Sequence, residues 1–162
     1  MRVKVREYTL NDIDSMIKIW NEVVEEGNAF PQEDCLDREE GIKFFASQSF
    51  CGVAENQKGE IVGMYILHPN NVGRCSHICN ASYAVASEAR GKKIGEKLVK
   101  NSLKSGKKLG FSIMQFNAVV RTNVFARCLY EKIGFKQLGI IHKGFRMKDG
   151  HYEDICPYYI EL

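Results

Sequence analysis

Apolar residues return along this chain at two spacings, and the switches between them mark out the elements. Residues 2–8 alternate as a strand does, and then Ile13, Met16, Ile17, Trp20, Val23 and Val24 recur at helical spacing. A helix is therefore expected behind a cap at Thr9 and up to a stop at Gly27. The loop from Asn28 to Asp37 holds Pro31 and several acids, and Arg38 to Ser49 reads as a second, short helix. A meander follows: a strand from Phe50 to Glu55, a turn at Asn56-Gln57-Lys58-Gly59, and a strand from Ile61 to His68. Beyond a loop from Pro69 to Arg74, a central strand runs from about His77 to Ala86. A helix over 92–108, a strand over 111–118, a helix over 122–132 and strands near 135–141 and 153–161 complete the chain. The order βααβββαβαββ predicts an α/β fold, with a sheet of mixed direction and helices on both faces. Two neighbouring parallel strands that splay apart in such a sheet leave a cleft at their C-terminal ends.

Length and composition narrow this further. A chain of 162 residues with 44% hydrophobic content makes one sizeable core, so residues 1–162 are expected to form a single domain. No apolar run approaches the roughly 20 residues of a membrane span, and the start MRVKVREYTLND lacks the apolar stretch of a secretory signal. No membrane partner is expected, and the cytoplasm is the expected location. The six cysteines are scattered through strands and helices and are read as reduced. The net charge of +3 is mild, and its one concentration, residues 90–108, could point to nucleic acid. The lysines beyond Lys93 fall mostly opposite Ile94, Leu98 and Val99, which makes a solvated helix face the better account, and no nucleic acid is expected.

The first candidate chemistry lies at residues 79–95, where an apolar strand enters a basic turn and a helix opens at Ile94. A helix start carries unpaired N–H groups and positive potential, so an anion such as a pyrophosphate is its natural guest. Gly91 and Gly95 remove side chains that would block approach, and Arg90, Lys92 and Lys93 add charge. The chain has no GxxxxGK[ST] run and no GxGxxG, which leaves a nucleoside triphosphatase or a dinucleotide-dependent dehydrogenase without support. The second lies at residues 116–135, FNAVVRTNVFARCLYEKIGF. A strand ends near Val120, Thr122 stands as a plausible N-cap, and Ala126, Leu129, Tyr130 and Ile133 form one apolar stripe before Gly134. Asn123 and Tyr130 lie near one side of that helix and can face a channel coming from the first site.

Together these segments resemble the GNAT family of acetyl-CoA-dependent N-acetyltransferases. The family pattern [RQ]-x-x-G-x-[GA] stands here as Arg90-Gly91-Lys92-Lys93-Ile94-Gly95, with Lys93 in the place of its first glycine. The second signature, an asparagine followed by A-x-x-L-Y-E-x-x-G-F, is met at Asn123, Ala126, Leu129, Tyr130, Glu131, Gly134 and Phe135. The resemblance implies a GNAT-like domain whose mixed, mostly antiparallel sheet contains a splayed parallel pair. It implies acetyl-CoA as cosubstrate, bound by Tyr83, Val85, the loop from Arg90 to Gly95, Asn123, Ala126 and Tyr130. Residues 70–85 and 116–123 also look like the yeast azetidine-2-carboxylate N-acetyltransferases, in which two strand asparagines hold the substrate carboxylate; the matching positions are Asn80 and Asn117. The segment IWNEVVEEGNAF and the ending DGHYEDICPYYIEL are similar instead to phosphinothricin-type acetyltransferases.

Acetyl transfer to an amine needs a donor for the carbonyl oxygen as it becomes an oxyanion and a proton for the departing thiolate. Tyr130, the family's usual residue at its position, is the expected proton source, since a phenol with a pKa of about 10 stays protonated at neutral pH. The expected oxyanion donor is a backbone N–H on the central strand around Tyr83 to Val85. Glu26 and a water chain are both open as acceptors of the amine proton, and the base is left unassigned. Cys75, His77 and Cys79 would share a strand face as soft metal ligands do, but they lack a fourth ligand and no metal is expected. His142, His151 and Asp154 are read as surface or loop residues. The acceptor is expected to be a small amine, an amino acid or a close analogue, acetylated directly in a ternary complex. Acetylation of a protein N-terminus or lysine, a non-catalytic acyl-CoA sensor, and a homodimeric state remain open.

Overall fold

The computed structural model describes residues 1–162. Eight strands form one sheet: β1 (Val3–Glu7), β2 (Phe50–Asn56), β3 (Ile61–Pro69), β4 (Ile78–Val85), β5 (Ile113–Val120), β6 (Lys136–Gln137), β7 (Ile141–Arg146) and β8 (Tyr152–Glu161). Four helices accompany them: α1 (Ile13–Glu26), α2 (Arg38–Ala46), α3 (Ile94–Lys108) and α4 (Val124–Ile133). The strand order is β1-β2-β3-β4-β5-β8-β6, with β7 pairing further along the same outer edge of β8. Every pairing is antiparallel except β4 with β5.

Side chains of β3 sort the helices onto the two faces. The Tyr65 hydroxyl donates to Asn101 and accepts from Ser105 of α3, and Gly63 admits Ile94 and Leu98 of that helix to its surface. On the other face Trp20 of α1 packs against Phe44 and Phe45 of α2. The core between the layers is continuous from Ile13 and Trp20 through Met64 and Leu67 to Leu98, Met114 and Tyr158. The expected stops are where the sequence puts them, with Gly27 at φ 64° ending α1 and Gly134 at φ 117° ending α4.

Four expectations are corrected. Thr9 precedes a single 3-10 turn, Leu10–Asp12, and α1 begins only at Ile13. Thr122 does not cap α4; Asn123 does, its side-chain oxygen accepting from the Ala126 N–H at 3.3 Å. The strand expected near 135–141 is two strands, because the chain leaves β8 after Leu138, whose N–H still donates to Pro157 O at 2.8 Å, passes through Gly139 at φ 156°, and rejoins it at Ile141. Lastly, Cys75 lies in a 3-10 turn, Gly73–Cys75, before β4 starts, so it shares no strand face with Cys79.

Two irregularities open the sheet at its centre. The parallel pair β4–β5 holds register only at Ile78–Ile113 and Cys79–Met114, and beyond these the strands part. Across β5, the ladder with β8 shifts between Phe116 and Val119, so that Asn117 and Ala118 together oppose Pro157 alone. Pro157 has no N–H to give the ladder, and a bulge is where a strand tolerates such a residue. Bulges re-aim side chains, and this one falls on Asn117.

Candidate active site

The parted strands leave one edge of β4 unpaired. Asn70 N–H donates to Ile78 O at 2.7 Å and Ala86 N–H to Val62 O at 2.9 Å, so the even-numbered residues of β4 bond to β3. By alternation Ala81, Tyr83 and Val85 direct their N–H and C=O groups into the gap. One of these groups is engaged, since Val85 O accepts from Arg90 Nε at 3.3 Å.

Behind β4 the chain turns into α3 through Arg90-Gly91-Lys92-Lys93. Gly91 has φ 77°, and Lys93, the residue before the helix, has φ 60°. A Cβ on Gly91 would meet nothing within 4 Å, and one on Gly95 would meet only Leu129 Cδ2, at 3.9 Å. Neither glycine is demanded by packing against the protein; both leave space on the cleft side. The Arg90 guanidinium is paired with Glu26 at the end of α1 at 2.6 Å. Lys92 turns its ammonium to Glu88 O at 3.3 Å and does not join the cleft wall.

The cleft has a volume of about 780 Å³ and reaches from this turn to the start of α4, with Val85, Arg90, Gly91, Lys93, Ile94 and Gly95 on one side and Thr122, Asn123 and Phe125 on the other. A smaller hollow of about 320 Å³ continues from it into the gap between β4 and β5, walled by Asn80, Ser82, Asn117, Ala126 and Tyr130. Ala29, Tyr83, Gly95, Asn123 and Leu129 line both. A long ligand in the cleft and a short one in the hollow would meet at the splay.

The sequence model of the acetyltransferase (GNAT) family matches residues 13–135, which include both helix starts and the whole splay. The chain belongs to the GNAT acetyltransferase family. N-acetyltransferase aca1 of Schizosaccharomyces pombe is 32% identical over 167 aligned residues, covering 92% of this chain and 77% of that protein. A GCN5-related N-acetyltransferase of Kribbella flavida superposes with a TM-score of 0.91 at 27% identity, over 99% of this chain and 98% of that one. A phosphinothricin acetyltransferase of Sinorhizobium meliloti, solved with AcCoA, has the same fold with a TM-score of 0.92 at 22% identity, over 100% of this chain and 89% of that one.

Within this GNAT acetyltransferase, Tyr130 stands out among the core tyrosines. Its ring packs on Phe116 at 4.6 Å and Phe135 at 5.6 Å between centroids. Tyr65 donates to Asn101, Tyr83 bonds Ser102, and Tyr158 donates to Glu131. The Tyr130 hydroxyl alone of the four makes no hydrogen bond within the chain, so it is free toward the hollow. Burial raises the pKa of the phenol above its ordinary value, which keeps it a donor.

Asn80 and Asn117 line the same hollow, and a third asparagine joins them. Asn70, the residue after β3, accepts through Oδ1 from Asn117 Nδ2 at 2.7 Å and from Asn80 Nδ2 at 3.2 Å. Sequence reading passed over Asn70 as a loop residue, and nothing local distinguishes it. It also passed over Ala29, Phe30 and Pro31, which close the outer wall of the hollow. Phe30 is buried against Trp20 at 4.4 Å, and the loop is tied down where the Asn21 amide bonds both Leu36 N–H and Leu36 O at 2.9 Å. An aromatic residue in a loop too polar to be a core element was the available signal.

The electrostatics of the two spaces differ. The large cleft is lined by two cations, Arg90 and Lys93, and two carboxylates, Glu26 and Glu96; Arg90 is paired with Glu26 and Glu96 with Lys100 and Lys132, which leaves Lys93 and α3's free N–H groups to draw an anion. The hollow is lined by no Asp, Glu, His, Lys or Arg, and its titratable groups are the two phenols of Tyr83 and Tyr130. Glu26 lines the cleft rather than the hollow and is held by Arg90. His142 and His151 lie on the β7–β8 hairpin, paired with Asp154 and with Asp149 and Glu153, and away from both spaces.

Proposed function

We propose that this chain transfers an acetyl group from acetyl-CoA directly to the amine of a small acceptor, an amino acid or close analogue, in a ternary complex. The observation that carries the proposal is the junction of the two spaces, one long and opening on Lys93 and the start of α3, the other short and without charged side chains, beside the free hydroxyl of Tyr130.

The cleft suits acetyl-CoA because a Cβ at Gly91 or Gly95 would fill the space before α3, where backbone donors are exposed. Acetyl-CoA supplies the activated thioester and a thiolate leaving group. Arg90, Gly91, Lys93, Ile94 and Gly95 hold the pyrophosphate, while Tyr83 and Val85 donate backbone N–H bonds along the open edge of β4. One of these two N–H groups also stabilises the oxyanion, and Asn123, Ala126 and Tyr130 of α4 complete the wall. Lys92 adds charge at longer range. Tyr130 gives its hydroxyl proton to the departing thiolate and is reprotonated by the proton that the amine nitrogen loses as the amide forms.

Asn80 and Asn117 hold the acceptor by its carboxylate. With no acid or imidazole in the hollow, the amine arrives neutral, helped by an apolar wall that disfavours the ammonium form. The six free thiols support a reducing workplace, the cytoplasm. The proposal is tested by following thiol release from acetyl-CoA against a panel of amino acids and amines. Release that depends on an acceptor supports it; tight binding of acetyl-CoA with no release under any acceptor makes the chain a sensor.

A further inference from the structure

We infer that Asn70 is the positioning residue of the acceptor site: it aims the amides of Asn80 and Asn117 at the acceptor carboxylate. The inference rests on the proposed carboxylate reading and deepens it. Asn80 and Asn117 stand on β4 and β5 after those strands have parted, so no ladder bond fixes the distance between them. Asn117 in addition lies on a bulge and is exposed. What ties the two together is one oxygen, Asn70 Oδ1, which accepts from Asn117 at 2.7 Å and from Asn80 at 3.2 Å.

The geometry has a chemical consequence. Each asparagine amide nitrogen carries two hydrogens. One from Asn80 and one from Asn117 go to Asn70, which sets the plane of both amides and leaves a second hydrogen on each for a ligand oxygen. Gln115 Nε2 donates to Asn117 Oδ1 at 3.1 Å and fixes that amide from its other end. Asn70 is itself anchored, its N–H on Ile78 O at 2.7 Å, and it is half-buried. Its part is to hold the two amides, since it does not itself line the hollow. Two neutral amides, those of Asn80 and Asn117, each presenting an N–H group, suit a carboxylate in a hollow that has no cationic side chain.

The test is steady-state kinetics with an amino acid that the wild type acetylates, comparing Asn70→Ala, Asn117→Ala, the double variant and Asn70→Asp. Asn70→Ala should raise the acceptor KM by about tenfold, with the KM for acetyl-CoA kept and the thermal midpoint reporting an intact fold. The double variant should lose less than the product of the two single effects, since with Asn117 gone only the Asn80 amide is left for Asn70 to position. Asn70→Asp keeps the accepting oxygen but adds a charge, so it should penalise carboxylate acceptors far more than the matching amides. An unchanged or lowered acceptor KM in Asn70→Ala, or effects that simply multiply in the double variant, would overturn the inference while leaving the carboxylate reading intact. If Asn80→Ala and Asn117→Ala leave the acceptor KM unmoved, that reading fails and the inference falls with it.

Discussion

The rings of Tyr83 and Tyr130 lie 6.4 Å apart in one aromatic cluster, yet the Tyr83 hydroxyl shares a 2.6 Å hydrogen bond with Ser102 while the Tyr130 hydroxyl bonds to nothing in the chain. Equal chemistry is thus divided between two uses. Tyr130→Phe keeps the ring on Phe116 and removes only the hydroxyl, so kcat should fall by on the order of 10²-fold with acetyl-CoA affinity nearly kept. Tyr83→Phe breaks a structural bond and should register in stability, by about 1 kcal/mol in urea unfolding. Undiminished turnover in Tyr130→Phe, with chemistry rate-limiting, would reduce Tyr130 to packing.

Gly95 separates a packing requirement from a binding one. A Cβ there meets only Leu129, at 3.9 Å, so Gly95→Val should fold and place its side chain toward the cleft. Calorimetry should find acetyl-CoA bound at least about tenfold more weakly, because backbone approach at the helix start is blocked. Lys100→Ala, at a residue outside the cleft wall whose partner Glu96 keeps its pair with Lys132, should leave affinity unchanged.

These two sites were legible in the sequence because each is a local signal: a strand, a turn and a helix start within about twenty residues. Asn70 was not, because its meaning depends on a bond to Asn117, 47 residues away, which exists only after β4 and β5 have parted. The loop wall at Ala29, Phe30 and Pro31 has the same origin, since Phe30 becomes part of the site by packing on Trp20. The β6–β7 division escaped for a different reason. Only Phe145 of β7 is buried, so an edge strand with almost no apolar alternation carries little periodic signal. Thr122 and Asn123 are both good caps, and one residue of strand length decided between them.

Lys93 occupies the left-handed region at φ 60° where the family pattern has glycine. A non-glycine residue there is strained by about 1–2 kcal/mol, partly offset by the greater freedom that glycine has in the unfolded chain. Lys93→Gly should therefore raise stability by about 0.5–1 kcal/mol, read as a higher urea midpoint at constant slope. Lys93→Val should lower it by more, since a β-branched residue tolerates positive φ least.

The uncharged hollow sets the pH dependence. As pH rises the acceptor's ammonium loses its proton, so kcat/KM should rise with pH and level off once the amine is neutral. Burial holds the Tyr130 phenol above its ordinary pKa, so the donor stays protonated and no alkaline decline should follow from it within the working range. Profiles for two acceptors of different basicity should be displaced along the pH axis by that difference. Coincident profiles would mean that an enzyme group, and not the acceptor, is titrating.

The most direct measurement pairs an amino acid with its own amide as acceptors, in the wild type and in Asn80→Ala and Asn117→Ala. The account predicts thiol release with the amino acid and poor turnover of the amide. In each variant it predicts a rise in acceptor KM of about 10- to 150-fold, the worth of one hydrogen bond to a charged group, with the KM for acetyl-CoA unchanged. An amide turned over as well as its amino acid, with both variants unaffected, would contradict it.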